Sequence, residues 1–300
     1  MPEMNTANVH PGETAKFDRL AARWWASRDL TRDALTRIAR RRAPRQGCRG
    51  RRTHQGRFAA TDEMPVNQTR SNVHPGETAK FDRLAARWWD KDGESRPLHD
   101  LNPVRLDYVA ARMTLKGARV VDVGCGGGIL SEALARCGAN VIGIDLAPRV
   151  LEVARLHLHE SGHSVDYRET SVEDLAAQLA GACDGVTCME LLEHVPDPGS
   201  VIAACAALLK PGGRLFVSTL NRTPLAFGAA IVGAEYALNL LPRGTHHYAQ
   251  FIRPAELAAA MRDAGLELED LSGLAYNPIL RRARIVRSTA VNYLACARKP

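Results

Sequence analysis

The chain has 300 residues, 45% hydrophobic and 24% charged, which is the balance of a globular protein with material for a sizeable core. No run approaches the roughly 18 apolar residues of a membrane span, no secretory leader pattern opens the chain, and seven cysteines without a CxxC pair fit a reducing, cytoplasmic compartment. The net charge of +7 does not argue for a nucleic-acid partner: residues 26–70 hold twelve arginines against four acids, residues 1–25 balance to zero, and residues 71–300 are left at about −1.

The eighteen letters NVHPGETAKFDRLAARWW at 8–25 recur unchanged at 72–89. Structural repeats drift in sequence because only their buried face is constrained, so identity at every position points to a recent partial duplication or a misplaced start, with Met64 as an alternative. The joining stretch is Arg-rich and poor in large apolar residues, and is expected to be disordered. We therefore expect residues 1–71 to be an extension and residues 72–300 to be the catalytic domain. Apolar positions at helical spacing over 80–89 predict a cap helix, whose Trp88 and Trp89 pack a lid onto the core or line a substrate cavity.

From residue 117 onward, β-branched runs alternate with helical stretches. Strands are expected at 118–123, 140–145, 165–169, 184–189 and 213–218, with helices at 129–137, 149–161 and 201–208. Such alternation predicts an α/β fold with a doubly wound, mostly parallel sheet, and ligands at the carboxyl ends of its strands.

The run DVGCGGG at 122–128 follows the first strand and opens a helix. Glycines there let a backbone approach a ligand without Cβ obstruction. Asp122 at the entrance would repel a pyrophosphate and suit a cationic or amino-bearing ligand, which counts against a nicotinamide oxidoreductase. Asp145 ends the second strand about 20 residues on, where a carboxylate can accept both hydroxyls of a ribose or cap the next helix. This pattern resembles the class I (Rossmann-like) methyltransferases, which implies S-adenosyl-L-methionine contacts at Gly124 and ribose binding at Asp145.

After the fourth strand comes CMELLEHVPDP at 188–198. Met189 stands at the strand's carboxyl end, as a cofactor contact or as core filling. Glu190, Glu193 and His194 are spaced so that a helical turn would place them on one face. That set can hold a divalent cation such as Mg²⁺, or supply a general base, or cap a helix with a supporting histidine. Residues 220–253 form an insertion after the fifth strand whose stretch 224–241 is apolar but for Glu235 and Asn239, with Arg222 and Arg243 at its ends. Such a segment can lie in a membrane interface, pack as a lid, or form a dimer contact.

NVHPGETAKFDRLAARWWD, NPVRLDY, DVGCGGGILSEALA, VTCMELLEHVPDP, LKPGGRLFVSTLNR, PRGTHHYAQFIRP and LAYNPI together resemble the ubiquinone-biosynthesis O-methyltransferases over roughly residues 72–296. The resemblance implies methyl transfer from S-adenosyl-L-methionine to a polyprenylated catechol and to a demethylubiquinol. It implies cofactor contacts at Arg105, Gly124, Asp145 and Met189, a catalytic role for Glu193 and His194, and, where members carry metal, ligation by Glu190, Glu193 and His194. With the cysteines and the apolar insertion, the expectation is a cytoplasmic enzyme peripheral to the inner membrane, meeting an anionic lipid surface and other quinone-biosynthesis enzymes. A methyltransferase for another phenol or carbon acid, and a non-enzymatic cofactor-binding scaffold, are the rival readings.

Overall fold

A computed structural model describes Asn72, Gly76, Thr78, Phe81, residues 85–226 and residues 248–300. The extension over 1–71 and most of the apolar insertion, residues 227–247, lie outside the described residues. The strands are β1 (Arg119–Val123), β2 (Asn140–Asp145), β3 (Val165–Glu169), β4 (Cys183–Met189), β5 (Leu209–Leu220), β6 (Glu267–Asn277), β7 (Arg282–Val286) and β8 (Asn292–Arg298). They form one sheet in the order β3-β2-β1-β4-β5-β8-β6-β7. The pairs among β1 to β5 are parallel, whereas β8 runs antiparallel between β5 and β6, and β7 antiparallel along β6.

Alternation of side chains explains why both faces are covered. On one face Val121 and Val123 of β1 join a cluster with Leu175, Val201, Ile202, Leu257 and Met261. These come from α4 (Val172–Leu179), α5 (Pro198–Leu208) and α6 (Pro254–Asp263). On the other face Val120 packs with Leu101, Val109, Leu134 and Leu151. Those belong to α1 (Arg96–Ala110), α2 (Ile129–Arg136) and α3 (Pro148–Ser161). Each fully buried aliphatic contributes roughly 1.5–3 kcal/mol relative to exposure. Among the described residues no helix is long and apolar enough to cross a membrane.

The expected strands agree with β1 to β5 to within a residue or two, except that β5 begins at Leu209 and ends at Leu220. Its register jumps from Cys183↔Leu209 to Gly185↔Arg214, so the Lys-Pro-Gly-Gly turn is absorbed as an irregularity inside the strand, with Gly212 at φ 80°. Helix α4 was not expected, although its start is signalled by Ser171-Val172-Glu173-Asp174: Ser171 Oγ accepts from the Asp174 N–H at 3.0 Å. Ser171→Ala should cost about 1 kcal/mol, measured as a lower urea midpoint at unchanged m-value.

Strand order reverses between β1 and β4, the place where parallel α/β sheets open a crevice. Gly124, Asp145 and Met189 stand at the carboxyl ends of β1, β2 and β4 and therefore converge there.

Candidate active site

The turn after β1 depends on backbone conformations that other residues rarely adopt. Gly124, Gly126 and Gly128 have φ of 68°, 53° and 87°. A Cβ on Gly126 or Gly127 would overlap the Trp88 indole, which lies directly against the turn. Trp88 is buried with Ala85, Ile129, Ala147 and Val150, and it also lines the cavity above the turn. Trp89 donates its indole N–H to the Gly127 carbonyl at 2.9 Å. The same ring stacks flat on His157 at 3.3 Å, and His157 Nδ1 lies 2.8 Å from Glu132. The two tryptophans thus fasten the N-terminal segment onto the glycine turn. Just before them, the described residues show a 3-10 turn at Ala85–Arg87. Gly127 has no left-handed φ, so Gly127→Ala isolates the steric effect. It should expel Trp88, read as a red-shifted tryptophan emission with weakened nucleoside binding.

Asp145 shapes the same turn. Its Oδ2 accepts from the Gly126 N–H and its Oδ1 from the Ala147 N–H, each at 2.9 Å. A carboxylate offers about four acceptor sites, so ribose hydroxyls can join these bonds, and the capping and binding readings of Asp145 are compatible. Asp122 differs from expectation. It is buried, with Oδ2 accepting from Ser131 Oγ at 2.6 Å and Oδ1 from Thr187 Oγ1 at 2.7 Å. Burial raises its pKa against the pull of those two bonds. Asp122 ties β1 to α2 and β4, and each of its oxygens is engaged by a hydroxyl rather than presented bare to a ligand.

Arg105, from the middle of α1, is 5% exposed. Its Nη2 lies 2.5 Å from Glu190 Oε1. Nε of this buried guanidinium has no hydrogen-bond partner among the described residues, whereas Nη2 is held in the ion pair. Glu190 itself stands at φ 54°, an unusual conformation for a side chain of this kind, costing of order 1 kcal/mol. Its Oε1 also receives Asn292 Nδ2 at 3.3 Å and Ser218 Oγ at 3.4 Å.

Glu193 and His194 sit in a 3-10 turn, Leu192–His194. Glu193 is 2% exposed; Thr219 Oγ1 donates to its Oε2 at 2.8 Å, whereas Oε1 has no hydrogen-bond partner among the described residues. Burial pushes its carboxyl above the ordinary glutamate range, against the opposing influence of neighbouring His194. The His194 ring meets Phe81 edge-on at 5.3 Å. The expected helical face of Glu190, Glu193 and His194 is not formed, because the chain reverses at the end of β4 through the left-handed Glu190 and only then enters the turn. Among the described residues no three His, Cys, Asp or Glu side chains converge as a metal-holding group.

Arg105, Gly124, Asp145, Met189, Glu190, Glu193 and His194 nevertheless all line one cavity of about 260 Å³. The donor set fits S-adenosylmethionine: a buried guanidinium whose Nε has no hydrogen-bond partner among the described residues for a carboxylate, a Cβ-free turn for close approach, and an acid at the end of β2 for the ribose. The sequence reading did not find Thr219, Thr187, Ser131 or His157, whose partners lie on other elements.

A methyltransferase-domain family model matches residues 83–271. The ubiquinone biosynthesis O-methyltransferase of Xanthomonas axonopodis pv. citri (strain 306) is 66% identical over 230 residues, covering 77% of this chain and 96% of its own. That of Xanthomonas euvesicatoria pv. vesicatoria (strain 85-10) is 65% identical with the same coverage. Among solved structures, magnesium protoporphyrin IX methyltransferase from Synechocystis PCC 6803 with bound SAM has a TM-score of 0.52 at 18% identity, covering 76% of this chain and 99% of that one. A SAM-dependent methyltransferase from Aquifex aeolicus has a TM-score of 0.50 at 13% identity, covering 74% and 98%. The latter two share the fold; the match to the former two, over nearly their whole length, assigns the chain to the ubiquinone biosynthesis O-methyltransferase family.

Proposed function

We propose that the chain transfers a methyl group from S-adenosyl-L-methionine to a phenolic oxygen of ubiquinone precursors, a polyprenylated catechol and a demethylubiquinol. The observation that carries the chemistry is the placing of Glu193, with its unpartnered Oε1, in the same cavity as the glycine turn and Asp145. The acceptor class rests on the family.

The bound sulfonium supplies an electrophilic methyl group; the chain aligns the acceptor and removes its proton. Arg105 takes the amino-acid carboxylate, Asp145 the ribose, and Gly124 and Met189 bound the remainder of the cofactor. A phenol has a pKa of about 10 by analogy with tyrosine. Glu193 Oε1 accepts the phenol proton, and the raised affinity of this buried carboxylate narrows the gap to the phenol. His194 stabilises the Glu193 anion through its proximity. Alignment in a water-poor site favours an in-line displacement in which opposite charges cancel. Glu190 is paired with Arg105 and Glu193 Oε2 is held by Thr219, which leaves Glu193 Oε1 as the oxygen that can take the proton.

The test is label transfer from methyl-labelled S-adenosylmethionine to a short-chain prenylated catechol, with chelator and with added Mg²⁺. O-linked label insensitive to chelator supports the base reading. Loss in chelator with rescue by Mg²⁺ would reassign Glu190, Glu193 and His194 to metal binding. No transfer to either acceptor, with S-adenosylhomocysteine still bound, would send the search to another phenol. The apolar insertion, described only at its two ends, supports a peripheral membrane location as part of this proposal.

A further inference from the structure

The β6–β7 hairpin presents a surface that the methyl-transfer chemistry does not use. At its tip Ile279 is 84% exposed and Leu280 65%, and Ile285 on β7 is 43% exposed. The tip is ordered: Asn277 Oδ1 accepts from the Ile279 and Leu280 N–H groups at 3.0 and 2.9 Å. Arg281, at φ 52°, reaches back to Asp92 at 2.7 Å, Asp100 at 3.1 Å and the Lys91 carbonyl at 2.8 Å. The two aliphatic side chains are therefore held outward by a braced turn.

Residues 278–287 read PILRRARIVR, four arginines and no acid, within a body of net charge about −1. Arg281 is engaged by its two aspartates, whereas exposed Arg282, Arg284 and Arg287 make no ion pair among the described residues. Position matters as much as composition. β6 lies antiparallel to β8, which is antiparallel to β5, so β6 points the same way as β5 and the tip stands at the carboxyl edge of the sheet, where the cavity opens. Asp92 and Asp100 flank Ser95, Pro97 and Leu98, which line that cavity.

Soluble proteins expose aliphatics singly, without meaning. Two adjacent at a braced tip, backed by unpaired guanidinium groups, match the composition of an interfacial anchor. Arginines along edge strand β7 oppose strand pairing with another chain, which favours lipid over a protein partner. We propose that this hairpin is a second membrane contact, with Ile279 and Leu280 entering the acyl boundary of an anionic bilayer and Arg282, Arg284 and Arg287 meeting its phosphates. It would seat the cavity mouth against the surface in which a polyprenylated acceptor resides.

The inference deepens the lipid-substrate reading and takes its purpose from it, but vesicle partition needs no methyl transfer, so the two fail separately. The experiment is flotation of the full chain with phosphatidylcholine vesicles, with and without phosphatidylglycerol, for the parent, I279S/L280S and R282E/R284E. The parent should float with the anionic vesicles, and each double variant should partition at least about tenfold less, with S-adenosylhomocysteine binding and turnover of a short-chain catechol unchanged. Parent-like flotation of I279S/L280S would overturn the wedge, and parent-like flotation of R282E/R284E would overturn the headgroup contact. A parent that ignores anionic vesicles yet cross-links through position 279 to another polypeptide would replace lipid with a protein partner.

Discussion

Glu193→Gln should lower kcat about 100-fold or more while making the protein more stable at pH 8. Both effects have one cause. The Glu193 carboxyl is buried, and burial lifts its pKa above the value it has in the unfolded chain. A group raised in this way contributes stability in its protonated form at acid pH, and that contribution is lost as pH rises through the folded-state pKa. At pH 8 the parent holds a desolvated anion there; glutamine removes it and can still accept the Thr219 hydroxyl. A rise in Tm of about 2–4 °C per kcal/mol is expected for a domain of this size, and the advantage should vanish toward pH 4. The parent's kcat should fall on the acid side with a midpoint above the ordinary glutamate range, and the variant should lack that limb. Unchanged kcat in the variant would remove Glu193 from the proton transfer.

Arg105→Met should weaken S-adenosylhomocysteine binding about 30-fold, equivalent to about 2 kcal/mol for a charge-assisted contact. 5′-Methylthioadenosine, which lacks the amino-acid carboxylate, should bind the variant as it binds the parent. Asp145→Asn should weaken both ligands alike, since both carry the ribose. Calorimetric titration of the two ligands against the two variants separates these outcomes. Equal loss of both ligands on Arg105→Met would mean that the guanidinium acts only through its ion pair with Glu190 and the order of the cavity wall.

The parallel half of the sheet was legible because its strands are short β-branched runs bounded by helices, and because the glycine turn must follow β1. Gly124, Asp145 and Met189 were legible for a related reason: they sit in motifs at the carboxyl ends of strands, and those ends meet, whereas Arg105, in the middle of α1, came only with the family resemblance. The antiparallel half was not. Along β6, Glu267 to Asn277, much of the strand is exposed, which blurs the alternation that marks a half-buried strand. The spacing of Glu190, Glu193 and His194 misled because it presumed a helix, whereas Glu190 takes a left-handed backbone that spacing cannot reveal. The partners Thr219 for Glu193 and His157 for Trp89 lie 26 and 68 residues away, beyond any local pattern. The arginine-rich hairpin was visible as letters, but its meaning depends on which side chains the turn leaves outside.

The placement of β8 sets the timetable of folding. It is the last strand of the sheet in chain order, yet it lies inside, bonded to β5 on one side and β6 on the other. Until residue 298 has been synthesised, a nascent chain offers two open strand edges, on β5 and on the β6–β7 hairpin, each a template for unwanted pairing. The contacts that close them join residues as far apart as Arg214 and Arg298, so closure is non-local and slow relative to helix formation. Shielding of the half-built sheet by a chaperone would therefore matter most before β8 is available to pair with β5 and β6.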